Sequence, residues 1–296
     1  MARDRLGAVP PHVWVVLAVG LATFGSSAIL VRYASEAPGL AVAVWRTGLA
    51  AVLVAPLALA RSGPALRRLS GRELGLIGVA GVLLGLHFIG YIESLYHTSV
   101  ASSSVLVTTS PLFIAALGYA FLKERLSART VVAIATAVLG GALIGLADAR
   151  AGAFPRAAFG NVLALGAALL FSVYLLIGRA VRQRTDFLAY LFPLYAVAAA
   201  TCVAAAVTRG VPLVQPWPVL ALCFLMALGP QLVGHGSFNY AVRYLPAALL
   251  GLLSLIEPVV ASLLALVLFG ERPPPLALLG MAVVLLSIAV VFWRRR

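Results

Sequence analysis

Charged side chains are scarce in this sequence. Only 10% of its 296 residues are Asp, Glu, Lys or Arg, whereas a soluble globular domain carries about 25%. Because 62% of the residues are hydrophobic, a water-soluble fold of this chain would lack the polar surface to cover itself. The composition excludes an ordinary soluble domain and predicts an all-α integral membrane protein whose partner is the lipid bilayer.

Carboxylates and cysteines are rarer still. Nine Asp and Glu against 22 Lys and Arg give a net charge of +13, but the basic residues are scattered between apolar runs, which argues against a nucleic-acid partner. The two cysteines, Cys202 and Cys223, lie in apolar runs and predict buried thiols rather than a disulfide framework. The sequence has no metal-ligand spacing and no GxxxxGK[ST] phosphate loop. We therefore expect no metal, no cofactor and no ATP-driven step.

Long apolar runs are what the sequence does contain. About 20 apolar residues cross a bilayer as a helix, and ten runs of roughly that length are predicted. We name them span 1 to span 10, at residues 12–31, 38–60, 73–92, 100–122, 129–147, 158–178, 187–207, 217–241, 246–269 and 275–293. The first run follows Arg3 and Arg5 as a signal peptide would, but it is longer than an h-region of about 7–15 residues. We expect it to be a retained span.

Basic residues are distributed unevenly between the loops. With the N-terminus in the cytoplasm, the cytoplasmic segments hold 16 of the 22 Lys and Arg and the opposite side holds five, with Arg46 inside span 2. Cytoplasmic loops of membrane proteins are enriched in Lys and Arg. The distribution predicts a multi-pass protein of the inner (cytoplasmic) membrane with cytoplasmic N- and C-termini.

The sequence repeats itself at an offset of 147 residues. The offset aligns Phe24 with Phe171, Arg32 with Arg179, Ala101 with Ala248, Pro111 with Pro258, and Glu124 with Glu271. Each half holds five spans, so the second half enters the membrane from the other side. We predict two inverted five-helix repeats, at residues 1–150 and 151–296, which is the symmetry of secondary transporters that work by alternating access.

Three stretches carry a resemblance to a known family. They are SPLFIAALGYAFLKERLS (110–127), its counterpart EPVVASLLALVLFGERPP (257–274), and the span junction YHTSVASSSVLVTTSP (96–111). With ten spans in five-plus-five order, the chain resembles the EamA-type members of the drug/metabolite transporter (DMT) superfamily over nearly its whole length. The resemblance implies alternating access and, in many bacterial members, export of amino acids or other small metabolites. It does not fix the substrate, because the matching motifs are architectural.

Two polar stripes are predicted to meet at a cargo site. His87 and Tyr91 share one face of span 3, and Gln231, His235 and Asn239 repeat every four residues along span 8. Corresponding positions of an inverted repeat are expected to meet near the pseudo-two-fold axis, where cargo sites lie. The alternative is that these groups only hydrogen-bond neighbouring helices.

Aromatic side chains are candidates to enclose an apolar or ring-bearing cargo. The candidates are Phe24, Trp45, Tyr91, Phe171, Tyr174 and Tyr195. Phe24 and Phe171 are the strongest pair because the repeat relates them. The alternative is that each aromatic packs in the core, faces lipid or belongs to an interfacial belt.

Three charged residues in the apolar runs are candidates for coupling or charge pairing. Glu257 lies near the middle of span 9, where a charge costs roughly 2.5–3.5 kcal/mol and is expected to face protein or a water-filled cavity. It is predicted to act mechanically or, as a hypothesis, to carry a coupling proton. Arg46 can bind a substrate carboxylate or pair with Glu93 or Glu257. Glu93 lies nearer the outer surface.

Structural roles are predicted for Glu124, Glu271, Pro111 and Pro258. Each glutamate closes its span and can pair with the adjacent arginine or with a neighbouring helix end. The resemblance implies that Glu-Arg marks the tight turn between the last two spans of each half. Small residues in spans 5 and 10 permit close packing in a monomer or a homodimer, and Gly229-Pro230 is a predicted flexing point of span 8.

The function predicted from the sequence is a secondary transporter with no catalytic residues. It would move a small organic solute, an amino acid or related metabolite, out of the cell by alternating access. Three alternatives stay open at this point: proton-coupled uptake by the same fold, an intramembrane lipid-modifying enzyme, and a non-transporting scaffold or sensor.

Overall fold

The protein is helical over the residues that the computed structural model describes, which are 9–122, 128–151 and 154–292. In the first half the helices are Pro11–Phe24, Ser26–Tyr33, Gly39–Arg67, Gly71–His97, Val100–Val107, Ser110–Leu122 and Ala128–Ala151. In the second half they are Ala157–Arg182, Phe187–Thr208, Trp217–Met226, the π-helical Ala227–His235, Gly236–Ala241, Ala247–Ser254, Glu257–Phe269 and Pro275–Phe292. A helix satisfies its backbone within one segment, as a lipid environment requires.

Eight helical stretches within the described residues are long and apolar enough to cross a membrane. They coincide with spans 1–4 and 6–9. Helices Ala128–Ala151 and Pro275–Phe292 occupy spans 5 and 10, and the first of these contains the shorter apolar stretch Val131–Leu143. The prediction of a multi-pass helical membrane protein is confirmed, while the count of ten spans and their inverted order stay predictions.

The helix boundaries repeat at the same offset as the sequence. The helices at 100–107 and 110–122 have counterparts at 247–254 and 257–269, each displaced by 147 residues. Spans 4 and 9 are therefore both broken, and in each the second helix begins with a proline in its first turn, Pro111 or Pro258. Proline fits the first turn of a helix but cannot continue the hydrogen bonds of a preceding one. The structural role of the two prolines stays a prediction, and their position at these breaks is consistent with it.

The two halves pack mainly against each other. Span 3 packs along span 6, span 2 along span 7, span 1 along span 8, and span 5 along span 10. Exchanging the halves leaves this set of pairs unchanged. Polar side chains from both halves are brought together in the core that these pairs enclose.

Span 8 has an irregular backbone at the predicted flexing point. Gly229 and Pro230 lie within the π-helical segment Ala227–His235, where Pro230 has no N–H to donate. The carbonyl oxygen of Gln231 accepts from the backbone N–H of Gly236 and, in addition, accepts a hydrogen bond of 2.9 Å from the Tyr195 hydroxyl. The irregularity is thus held by span 7, and motion about it stays a prediction.

Candidate functional site

A buried arginine lies at the centre of the protein. Arg46 is 1% exposed, its Nε donates to Gln231 Oε1 at 2.9 Å and its Nη1 donates to Ser27 Oγ at 2.9 Å. The guanidinium carbon lies 4.4 Å from the ring centroid of Phe88. Nη2 makes no hydrogen bond to the described residues. These neutral partners orient the guanidinium and leave part of its donor capacity unused.

A buried carboxylate lies across the same space. Glu257 begins the second helix of span 9, and its Oε1 accepts a hydrogen bond of 3.2 Å from the Tyr91 hydroxyl. Its Oε2 makes no hydrogen bond to the described residues. The predicted pairing of Arg46 with Glu93 or Glu257 is not found, because neither carboxylate lies within 4.0 Å of the guanidinium. The two central charges therefore share a space without neutralising each other directly.

Aromatic rings close the site around His235. The ring centroid of His235 lies 5.1 Å from that of Phe24, 4.9 Å from that of Phe88 and 5.9 Å from that of Phe171. His87 lies 5.7 Å from His235 in the same measure. The structure brings His87 of span 3 and His235 of span 8 together beside the repeat mates Phe24 and Phe171, and their role as a cargo site stays a prediction.

The close packing of these rings depends on a position without a side chain. A Cβ atom at Gly234 would lie 2.8 Å from two atoms of the Phe24 ring. Glycine at this position lets span 1 place Phe24 directly on span 8. His87 is fixed from span 6, because its Nδ1 lies 2.9 Å from the carbonyl oxygen of Ala167. Since a carbonyl oxygen only accepts, Nδ1 carries the proton in this arrangement.

A small cavity lies between these groups. Seven of the predicted residues line it, and they are Phe24, Arg46, His87, Tyr91, Phe171, His235 and Glu257. The free volume is about 30 Å³, which is room for one or two water molecules. A pocket for a drug-sized ligand measures about 300–1,000 Å³. The described conformation is therefore contracted around its polar centre.

Other predicted cargo residues lie outside the cavity lining. Gln231 accepts a hydrogen bond from Arg46, and the Tyr174 hydroxyl lies 3.4 Å from His235 Nδ1. Both residues therefore contact a residue that lines the cavity without lining it themselves. Asn239 donates to the carbonyl oxygen of His235 at 2.9 Å, one turn away along the same span. These three contacts match the alternative that polar groups hydrogen-bond their neighbours.

Two further candidates lie toward the loops. Trp45 donates its indole N–H to the carbonyl oxygen of Leu213 at 2.7 Å, and neither Trp45 nor Glu93 lines the cavity. The Glu93 carboxylate lies beside the start of span 2, where a Cβ atom at Gly39 would be 2.8 Å from its Oε1. Both positions belong to the periphery of the site.

Five further residues line the cavity and were not predicted from the sequence. They are Ser27, Val107, Thr108, Ser110 and Ser254. The offset of 147 residues could have found three of them, because it pairs Ser110 with Glu257 and Val107 with Ser254 at the two helix breaks. Ser27 carries no comparable signal, since its role depends on a contact with Arg46 across two spans.

The structural residues can be placed in part. Glu271 pairs with Arg32 at 3.5 Å rather than with its neighbour Arg272, so it binds the end of span 1, which is one of the two predicted possibilities. Arg32 also donates to the carbonyl oxygen of Thr98 at 3.1 Å. Glu124 lies outside the described residues. No group of three or more His, Cys, Asp or Glu within the described ranges could hold a metal ion.

A comparison with protein families decides the class of the molecule. The model of the EamA-like transporter family matches residues 12–146 and, a second time, residues 158–293. The chain belongs to the EamA-like transporter family. The two matches fall on the two repeats that the sequence offset relates. As a member of this family, the protein is a membrane transporter of the DMT type.

Relatives of this family member are also transporters by name. It is 28% identical over 286 residues to a "Probable terminal-alkyne amino-acid exporter" of Streptantibioticus cattleyicolor, with 88% of this chain and 90% of the relative covered. It is 25% identical over 306 residues to the "Uncharacterized transporter YetK" of Bacillus subtilis, with 100% and 90% covered. A solved crystal structure matches with a TM-score of 0.71 at 20% identity and covers 96% of this chain and 97% of that one, which shows a shared fold.

Proposed function

We propose that the protein exports a small solute bearing both a carboxylate and an ammonium group, an amino acid or a close relative, by alternating access across the cytoplasmic membrane. One observation carries the proposal. A guanidinium and a carboxylate, each with capacity left over after its protein contacts, face one cavity without pairing with each other. A zwitterion supplies the missing partner to both.

The free-energy cost of burying charged side chains supports a role of Arg46 and Glu257 in binding the cargo. A charge inside a membrane protein is expensive and is retained where it pairs or meets a substrate. Arg46 can bind a carboxylate by two parallel N–H bonds, and Glu257 can accept from an ammonium group. Phe24, Phe171 and His235 would then enclose the apolar part of the cargo.

The contracted cavity supports a moving transporter. A free volume of about 30 Å³ does not admit an amino acid, so the surrounding helices must separate when cargo enters. The helices of spans 1, 4, 8 and 9 are all interrupted near this centre, at Gly25, at residues 108–109, in the π-helical segment and at residues 255–256. Interrupted helices at the interface of two repeats are the usual construction of secondary-transporter sites.

The direction and placement in the membrane belong to the same proposal. Two inverted five-span repeats, 1–150 and 151–296, would exchange their conformations to expose the cavity to either side, with both termini in the cytoplasm. The name of the relative from Streptantibioticus cattleyicolor supports export of an amino acid rather than uptake. Glu257 is placed to carry either the ammonium group or a proton in the opposite direction.

The test is an efflux assay with three matched cargoes. Cells that express the full chain are loaded with a radiolabelled apolar amino acid, with the amine that lacks its carboxylate, or with the acid that lacks its amine. We expect the amino acid to leave faster than either analogue. Arg46→Gln should remove the preference over the amine, and Glu257→Gln should remove the preference over the acid.

Two exposed charges provide the matched controls. Arg209→Gln and Glu36→Gln remove the same charges from positions outside the cavity and should keep both preferences. Equal efflux of all three cargoes by the unaltered protein would contradict the zwitterion. Accumulation of the amino acid in place of its loss would reverse the direction.

A further inference from the structure

A second group of charged residues lies at the face predicted to be cytoplasmic. A cleft of about 440 Å³ opens there between the end of span 2, the start of span 3 and the turn before span 7. It is lined by three arginines, Arg61, Arg68 and Arg184, and by two carboxylates, Glu73 and Asp186. None of these residues lines the central cavity.

One carboxylate of the cleft is occupied by uncharged donors. Glu73 Oε2 accepts hydrogen bonds from the backbone N–H of Ser70 at 2.9 Å and from its hydroxyl at 2.7 Å, in a capping box at the start of span 3. Glu73 Oε1 accepts from the Thr185 hydroxyl at 3.0 Å. These bonds hold the carboxylate against the start of its own helix.

One oxygen of the second carboxylate is occupied in the same way. Asp186 Oδ1 accepts from the Ser62 hydroxyl at 2.5 Å and from the backbone N–H groups of Leu188 at 3.0 Å and Ala189 at 3.2 Å. It caps the helix of span 7 and ties that helix to the end of span 2. Both carboxylates of the cleft thus serve helix ends and hydroxyls.

None of the three arginines forms an ion pair with these two carboxylates. Within the described residues, none of Arg61, Arg68 and Arg184 has a carboxylate within 4.0 Å or a side-chain hydrogen bond. Ser62 interrupts the helix between the first two of them, with φ −125° and ψ 17°, and its bond to Asp186 fixes the bend. The backbone irregularity and the cap together bring three guanidinium groups to a cleft that holds two carboxylates, so the cleft keeps an excess positive charge that favours an anion.

The lining of the cleft indicates the chemistry of that anion. Guanidinium groups match the geometry of phosphate oxygens. Pro64, Ala65 and Leu69 add an apolar wall beside the arginines. Basic pockets between membrane helices at the cytoplasmic side bind anionic headgroups. We propose that the cleft binds a phosphate-bearing anion, either the phosphodiester headgroup of an anionic phospholipid or free phosphate, whatever cargo the central cavity takes.

The test uses the purified full chain in a neutral detergent with three probes: phosphatidylglycerol, phosphatidylcholine and inorganic phosphate. Native mass spectrometry counts the bound lipid molecules, and the unfolding temperature of the protein is measured with each probe. If the headgroup is the ligand, phosphatidylglycerol binds more tightly than phosphatidylcholine and raises the unfolding temperature. If free phosphate is the ligand, millimolar phosphate raises that temperature and the two lipids do not differ.

Matched triple variants separate the cleft from the general positive charge of this face. In the cleft, the triple variant that combines Arg61→Gln, Arg68→Gln and Arg184→Gln should weaken binding of the active probe by roughly a hundredfold. Each factor of ten corresponds to about 1.4 kcal/mol of binding free energy. Arg67→Gln with Arg72→Gln and Arg243→Gln removes three exposed arginines outside the cleft and should weaken it by less than about threefold.

Two results would overturn the site. One is an unaltered protein that prefers neither phosphatidylglycerol nor phosphate over phosphatidylcholine, a measurement that needs no variant. The other is an equal loss in both triple variants, which would mean diffuse attraction to the surface. Should the cleft triple variant fail to fold, Arg184→Gln alone is measured, and unchanged binding in it would count against the cleft.

Discussion

The two halves of this protein share their helices but not their chemistry. Helix boundaries in spans 4 and 9 coincide at an offset of 147 residues, and Phe24 and Phe171 meet in the cavity as repeat mates. The two charged residues of the cavity, Arg46 and Glu257, have no charged mates. In the first half, the residue that corresponds to Glu257 is Ser110. In the second half, the residue that corresponds to Arg46 is Pro193. The repeat builds the scaffold, while the charged groups of the site differ between its two copies.

The largest effect is expected where the halves differ most. Glu257→Gln removes the central carboxylate at nearly constant size, whereas Ser110→Ala alters its mate in the same cavity. Hydrogen bonds to charged groups contribute about 1.5–3 kcal/mol, so Glu257→Gln should slow efflux by roughly 10–150-fold. Ser110→Ala should slow it by less than about threefold. Efflux assays at matched expression decide between them, and equal losses would mean that the charge has no special role.

The same contrast shows which features of the fold and of the site could be predicted from the sequence. Apolar run length predicted the helices, and the offset placed His87 of span 3 beside His235 of span 8, whereas the breaks in spans 4 and 9 are seen only in the structure. Run length and the offset could not predict that Arg46 donates to Gln231 and Ser27 rather than pairing with Glu93 or Glu257. The partners of Arg46 depend on side-chain directions that packing between spans sets. Nor could periodicity reveal the π-helical turn in span 8, since a single inserted residue in a helix leaves no mark in an apolar pattern.

A second effect is expected at the residue that orients the arginine. Gln231 accepts from Arg46 Nε, and its mate in the first half is Leu84. Gln231→Leu gives both halves the same residue and leaves a buried guanidinium donor without its acceptor, which costs about 1.5–3 kcal/mol. Efflux should fall about tenfold, mostly as a higher KM for the amino acid. Gln183→Leu, at an exposed glutamine, is the matched control, and a normal KM in Gln231→Leu would show that Arg46 needs no help from span 8.

A third effect tests how the halves pack rather than what they bind. In span 3, a Cβ atom at Gly85 would lie 2.8 Å from the carbonyl oxygen of Ala198 in span 7, while one at Gly78 would meet nothing within 4 Å. Gly85→Ala therefore forces the spans apart and should lower the free energy of unfolding by about 1–3 kcal/mol. Gly78→Ala should leave it unchanged or raise it, since alanine favours helix by about 1 kcal/mol over glycine. Thermal unfolding in one detergent compares them, and a stable Gly85→Ala variant would mean that the contact between spans 3 and 7 yields easily.

The smallest effect is expected at two equivalent helix starts. Span 7 begins after Asp186, whose carboxylate caps Leu188 and Ala189, whereas the helix of span 2 begins at Gly39 after Pro38 with no side-chain cap. Asp186→Ala should cost about 0.5–2 kcal/mol and Asp186→Asn less, because asparagine also caps.

The pH dependence of this cap has a definite sign. Desolvation raises the pKa of Asp186, but the hydrogen bonds from Ser62, Ala189 and Leu188 outweigh it and hold the pKa below its usual value. A group whose pKa is lower in the folded state contributes stability above the unfolded pKa, about 3.9 for Asp, and loses it as the pH falls through the folded value. The difference in stability between the unaltered protein and Asp186→Asn should therefore be constant from neutral pH down to about pH 5 and shrink below about pH 4. A difference that grows on acidification would mean that the carboxylate is protonated in the cap and that Ser62 does not donate to a charged oxygen.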